Sequence, residues 1–83
     1  MRIRGRVQAV GFRYEARARA RSLGVAGWIR NESDGSVLAE FEGPEEQVKS
    51  MLEWCRHGPR GARVDAVEVE SEPPQGGTDF AVS

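Results

Sequence analysis

Hydrophobic and polar positions alternate at the start of the chain. Ile3, Gly5 and Val7 fall on one side, Arg2, Arg4 and Arg6 on the other. That period of two predicts a strand over residues 1–7 with one buried face. From Phe12 the period lengthens. Phe12, Ala16, Ala20 and Leu23 form one stripe of a helix, with Arg13, Arg17 and Arg21 beside it. Gly24 is a natural helix stop. Alternation returns over 25–31, with Val25, Gly27, Ile29 and Asn31 on one face and Ala26, Trp28 and Arg30 on the other. Ser33-Asp34-Gly35-Ser36 carries the Asp-Gly signal of a hairpin turn. A third strand over 37–42 turns Val37, Ala39 and Phe41 inward and Leu38, Glu40 and Glu42 outward.

Gly43-Pro44 ends that strand and opens a second helix. Pro44 suits its first position, and Glu45 and Glu46 suit the positive end of its dipole. Val48, Met51, Leu52 and Cys55 form the apolar face, with Trp54 at its flank. After the loop at Gly58–Gly61, the segment ARVDAVEVE reads as a fourth strand. Its alternation slips between Val64 and Val67, which predicts a bulge or an irregular start. Pro73–Gly77 reads as a turn, and a short last strand is expected around Phe80 and Val82. The order is β-α-β-β-α-β plus one extra strand. The whole chain, 1–83, is read as one α+β domain: an antiparallel sheet with both helices on one face and the opposite face solvated.

Composition narrows the function. A chain of 83 residues with net charge −1 gives no global pull towards nucleic acid or anionic lipid. A single cysteine excludes an internal disulfide and a cysteine-rich metal site. No apolar run reaches membrane-spanning length, and the first residues lack the apolar stretch of a secretion signal. A cytoplasmic monomer without membrane or nucleic-acid partner is the expectation.

The candidate chemistry lies in GRVQAVGFR, residues 5–13. A glycine-bearing loop at a helix N-terminus can aim several amides at one point, and the dipole favours an anion there. Arg13 adds a planar donor fork that matches phosphate. The loop alone fits either a phosphate cradle or a turn that needs glycine, followed by an exposed arginine. Neither the Gly-Lys-Ser/Thr phosphate loop nor the dinucleotide GxGxxG pattern is present.

Longer motifs decide between these readings. Gly5-Arg6-Val7-Gln8-(Ala9)-Val10-Gly11-Phe12-Arg13, Leu23–Asn31 and Asp34-Gly35-Ser36-Val37 resemble the acylphosphatase family, as do Gly43-Pro44 and Gly58–Val64. The resemblance covers essentially the full chain. It implies a ferredoxin-like fold, the β-α-β-β-α-β order already read from periodicity. It also implies hydrolysis of the carboxyl–phosphate bond of acyl phosphates, with no metal and no cofactor. Small acyl phosphates and inorganic phosphate are the implied ligands. Arg13 matches the family's phosphate-binding arginine. The amides of Gln8, Ala9, Val10, Gly11 and Phe12 match its cradle. Asn31 matches the asparagine that orients the attacking water. The family has glycine where this chain has Ala9. If that position needs positive φ, alanine costs on the order of 1 kcal/mol or more.

The chemistry agrees with the residues present. A carboxylate leaving group has a conjugate acid of pKa near about 4, so no general acid is demanded. Positioning and charge stabilisation then carry most of the work. Other candidates have plainer roles. Cys55 lies on an apolar helix face, His57 at a helix end, Asp34 in a turn and Asp65 at a strand edge. Trp28 among arginines admits a single-stranded RNA surface, but Glu40 and Glu42 on that face carry the wrong charge. A domain that binds acyl or carbamoyl phosphate with little catalysis is the remaining alternative, since a related domain opens larger carbamoyl-transferring maturation proteins.

Overall fold

The computed structural model describes residues 1–70, 76–77 and 79–83. Most of the turn expected at 73–77 lies outside the described residues. The elements run β1 (Arg2–Arg6), α1 (Phe12–Leu23), β2 (Ala26–Asn31), β3 (Val37–Glu42), α2 (Glu45–His57), β4 (Arg63–Glu68) and β5 (Phe80–Val82). The sheet order is β4-β1-β3-β2-β5. Pairing is antiparallel between β1 and β4, β1 and β3, and β2 and β3. The short fifth strand departs from the expected antiparallel sheet, because it runs parallel to β2 and makes the sheet mixed. The Gly27 amide bonds the Asp79 carbonyl and the Ser83 amide bonds the Ile29 carbonyl, each at 2.9 Å, which locks β5 along this edge.

Both helices cover one face. Ile3, Ile29, Val37 and Ala39 from the sheet meet Phe12, Ala16, Ala20, Met51 and Cys55 from the helices, all 1% exposed or less. Burying a side chain as large as Phe12 or Ile3 contributes roughly 1.5–3 kcal/mol. A helix of 12 residues is marginal alone, so this packing rather than propensity holds α1. Ala16 and Ala20 let its backbone lie close to the sheet. Gly24, at φ 72°, donates its amide to the Ala20 and Arg21 carbonyls and ends the helix as expected. At α2 the expectation was one residue early. Pro44 has ψ 141°, outside the helical range, so it caps the helix and Glu45 begins it.

The opposite face is not uniformly solvated. Ala26 is 8% exposed, because Gly77 lies over it and donates its amide to the Glu42 carboxylate. Phe41, expected inward, is partly buried and stacks on Phe80 with ring centroids 5.7 Å apart.

The slip in β4 is a bulge. Val64 pairs with Gly5 and Val67 with Ile3, while Arg4 faces Ala66, so Asp65 has no counterpart on β1. Both valines thereby pack against the core although they stand three apart. Gly5 permits it: its φ is 132°, and a Cβ there would sit 2.1 Å from the Arg63 carbonyl oxygen. Gly5→Ala is therefore expected to cost about 2 kcal/mol or more. A urea-unfolding midpoint unchanged from wild type would contradict this account of the bulge.

Candidate active site

Val7 and Phe12 are each 1% exposed and anchor the two ends of the loop between β1 and α1. Gln8, Ala9, Val10 and Gly11 must carry the chain from sheet to helix in this short space. The backbone does so with a change of hand. Ala9 has φ 60° and Gly11 φ 75°, and Val10 between them is not left-handed. Such alternation turns successive amides to one side, the geometry of an anion-binding nest. Ala9 is thus in the conformation that disfavours alanine, and its exposed methyl sits outside the core.

Gly11 caps α1 with no side-chain hydrogen bond. Among the described residues, no backbone amide from Gln8 to Tyr14 donates to a protein acceptor; the first to do so is Glu15, to the Gly11 carbonyl at 3.0 Å. The loop and the first helical turn therefore present open donors at the positive end of the dipole. Arg13 stands in that turn. It donates Nη1 to the Ser83 carbonyl oxygen at the end of β5, and its Cζ lies 5.7 Å from the centre of the Tyr14 ring. A guanidinium has five donors, so most of the fork stays available.

Asn31 ends β2, opposite Val37. Its Oδ1 is buried and has no hydrogen-bond partner among the described residues. A buried acceptor without a partner is costly and rare, so this atom is poised for a small donor such as water. The hairpin beyond Asn31 is tied to the loop by the Gln8 side chain. Gln8 Nε2 donates to the Glu32 carbonyl at 2.7 Å and to the Ser36 carbonyl at 2.9 Å. The sequence reading assigned Gln8 only through its backbone amide. No local pattern signals the reach of its side chain.

The hairpin has its own staple. Asp34 Oδ1 accepts the Ser36 hydroxyl at 2.6 Å and the Ser36 amide at 2.9 Å, and Arg2 Nη1 donates to the Ser36 hydroxyl at 2.8 Å. Ser36, 2% exposed, is thereby satisfied. Its hydroxyl and amide, then Arg2 and Arg4, hold the Asp34 carboxyl at about 2.

The remaining candidates take structural roles. Cys55 is fully buried, and that burial pushes its thiol up to about 12, far from a thiolate at neutral pH. His57 lies on the surface 3.2 Å from Glu53, and Asp65 pairs with Arg63 at 3.0 Å. Trp28 donates Nε1 to Glu40 at 2.6 Å and is covered by the Arg30 guanidinium 4.9 Å from its ring. A depression of about 230 Å³ beside it is lined by Arg2, Glu40, Glu68 and Glu70. Covered aromatic and clustered carboxylates do not make a base-stacking platform. Among the described residues, no group of three or more His, Cys, Asp or Glu is placed to hold a metal ion, and no helix is long and apolar enough to cross a membrane.

Fold and site together define a small ferredoxin-like α+β protein with an uncapped, left-handed loop at the head of its first helix and an arginine in the first turn. The acylphosphatase family model matches residues 1–82. An acylphosphatase of Pseudomonas paraeruginosa is 54% identical over 94% of this chain and 86% of its own length. One from Thermococcus kodakarensis is 50% identical over 99% and 90%. The crystal structure of acylphosphatase from Bacillus subtilis superposes with a TM-score of 0.93 at 35% identity, over 99% of this chain and 92% of that one. Thermococcus kodakarensis HypF matches at TM-score 0.84 and 31% identity, over 100% of this chain but 12% of that one. The chain belongs to the acylphosphatase family.

Two stability effects are expected. Left-handed alanine costs roughly 1–2 kcal/mol, and the greater unfolded-state freedom of glycine offsets about 0.4–1 kcal/mol of that. Ala9→Gly should therefore stabilise by on the order of 0.5–1 kcal/mol, raising the melting midpoint by roughly 2–8 °C. A lower midpoint would contradict the left-handed assignment. Asp34 titrates from about 2 when folded, against an ordinary value of 3.8. Its stabilisation is full above the ordinary value and is lost as pH falls through about 2. Urea melts from pH 5 to pH 2 should show stability falling in that window, with a shallower fall in Asp34→Asn. Identical slopes would remove Asp34 from the staple.

Proposed function

We propose that this chain hydrolyses acyl phosphates to a carboxylate and inorganic phosphate. The observation that carries the reading is the Asn31 oxygen, buried without a partner among the described residues, one residue before the carbonyl that Gln8 grips from the loop. Family membership supports the same activity.

In this reading the phosphoryl oxygens lie among the amides of Gln8, Ala9, Val10, Gly11 and Phe12 and the fork of Arg13. These donors need no reorganisation, because the loop geometry aims them before substrate arrives. Asn31 Oδ1 accepts a hydrogen from the attacking water, and its Nδ2 can donate to a phosphoryl oxygen. The water attacks phosphorus in line and passes one proton to a phosphoryl oxygen, the bond to the carboxyl oxygen breaks, and that oxygen leaves with the electron pair. A carboxylate departs without protonation, so the arrangement asks for neither a general acid nor a cofactor. The left-handed Ala9 keeps the cradle in place, so the chain is active rather than a bare binding domain. The reading extends to a cytoplasmic monomer acting on small molecules; the net charge of −1 and the carboxylates on the open face argue against a nucleic-acid partner.

Benzoyl phosphate hydrolysis tests the roles. Asn31→Ala should lower kcat by about 10²–10³-fold, with the competitive Ki of inorganic phosphate changed by less than about threefold. Arg13→Ala should lower turnover similarly and also weaken phosphate inhibition by on the order of 10²-fold. An inactive wild type, or either variant turning over at the wild-type rate, would overturn the assignment.

A further inference from the structure

We infer that the Gln8 side chain is a positioning residue for this reaction: it sets where Asn31 stands relative to the phosphate cradle. The inference rests on the acyl phosphate reading above and assigns Gln8 a role separate from that of its backbone amide.

The cradle and Asn31 belong to different parts of the sheet. The loop continues β1, whereas Asn31 ends β2, and β3 lies between those strands. Through the sheet the link is indirect. β1 pairs with β3 only at Arg2–Leu38 and Ile3–Val37, well before the loop begins. Gln8 provides the short route. Its amide nitrogen has two hydrogens, and each finds a carbonyl, Glu32 at 2.7 Å and Ser36 at 2.9 Å. Those two residues lie immediately beyond the Asn31–Val37 pair. The same carbonyls close the hairpin itself, since Ser36 accepts the Glu32 amide at 2.8 Å and Glu32 accepts the Gly35 amide at 3.2 Å. Gln8 thus occupies their second lone pairs and grips the hairpin in its closed form. One side chain joins a cradle residue to the neighbour of Asn31.

The chemistry of the grip is specific. Methionine has nearly the same shape but no donor. Glutamate would set a carboxylate against two carbonyl oxygens. Asparagine keeps the donors but is one methylene short. Losing the grip frees the hairpin to shift against the cradle. A displacement of about 1 Å between a reacting group and its partner can cost on the order of 10²-fold in rate. Phosphate binding to loop amides and Arg13 should barely change.

The test compares wild type, Gln8→Met, Asn31→Ala and the double variant on benzoyl phosphate, with inorganic phosphate as competitive inhibitor. Gln8→Met should lower kcat by roughly 10–100-fold while the phosphate Ki stays within about threefold. In the Asn31→Ala background the same substitution should change kcat by less than about threefold, because the group it positions is gone. Gln8→Glu should lose as much as Gln8→Met. If Gln8→Met does not fold, Gln8→Asn carries the same comparisons. Wild-type kcat in Gln8→Met, a phosphate Ki that weakens in step with kcat, or single effects that multiply in the double variant would each overturn the inference while leaving the acylphosphatase reading intact. An inactive wild type overturns both.

Discussion

The structure depends on a short bridge between two buried anchors. Val7 closes the inward face of the first strand, Phe12 opens the inward face of the first helix, and each is 1% exposed. Neither can leave the core without losing roughly 1.5–3 kcal/mol of burial. Four residues must therefore reverse the chain between them, and they do so by passing twice through left-handed backbone, at Ala9 and Gly11. The amides of the bridge are then turned out of any internal ladder. Their openness follows from the same packing that holds α1 against the sheet. In the proposed reading, the anion site at this point is the by-product of joining a strand to a helix in too few residues for ordinary turns.

A second layer of contacts sets what stands opposite the bridge. Gln8 reaches the hairpin carbonyls, Asp34 and Ser36 close the turn, and Arg2 and Arg4 neutralise Asp34 from the open face. These ion pairs are half-exposed and contribute little singly. Their effect is geometric: the turn after Asn31 has one shape, and the loop is tied to it. Arg13 is oriented differently, through the carbonyl of Ser83 beyond the parallel fifth strand. In the proposed reaction, the phosphate donor and the water-orienting group therefore answer to separate supports, one just past β5 and one in the β2–β3 hairpin.

Much of the architecture was legible because its signals are local. Alternation on β1 and the stripe Phe12–Ala16–Ala20 are periods imposed by one buried face, and Ile3, Val7, Phe12, Ala16 and Ala20 are buried as read, whereas Gly5, at the bulge, is exposed. The slip between Val64 and Val67 signalled a bulge or an irregular start, and the structure shows the bulge, with both valines facing inward across one extra residue. Pro44 misled by a single position, because a proline suits the cap as well as the first turn. Ala26 was read as solvated and is buried, because its cover comes from Gly77, distant in the chain. Three residues of β5 carry no signal of direction, and their parallel pairing depends on which edge was free.

The residue types alone determined the order of elements, the placement of Arg13 at the head of a helix and of Asn31 at the end of a strand, and the family motifs around both. They left the sign of φ at Ala9 open, because alanine occupies either hand when its neighbours compel it. Tertiary structure decided that sign through the anchors at Val7 and Phe12. It also decided that Gln8 meets the hairpin carbonyls and that the Asn31 oxygen stays without a partner among the described residues. These are relations between groups remote in the chain, and only the packed sheet brings them within hydrogen-bond distance.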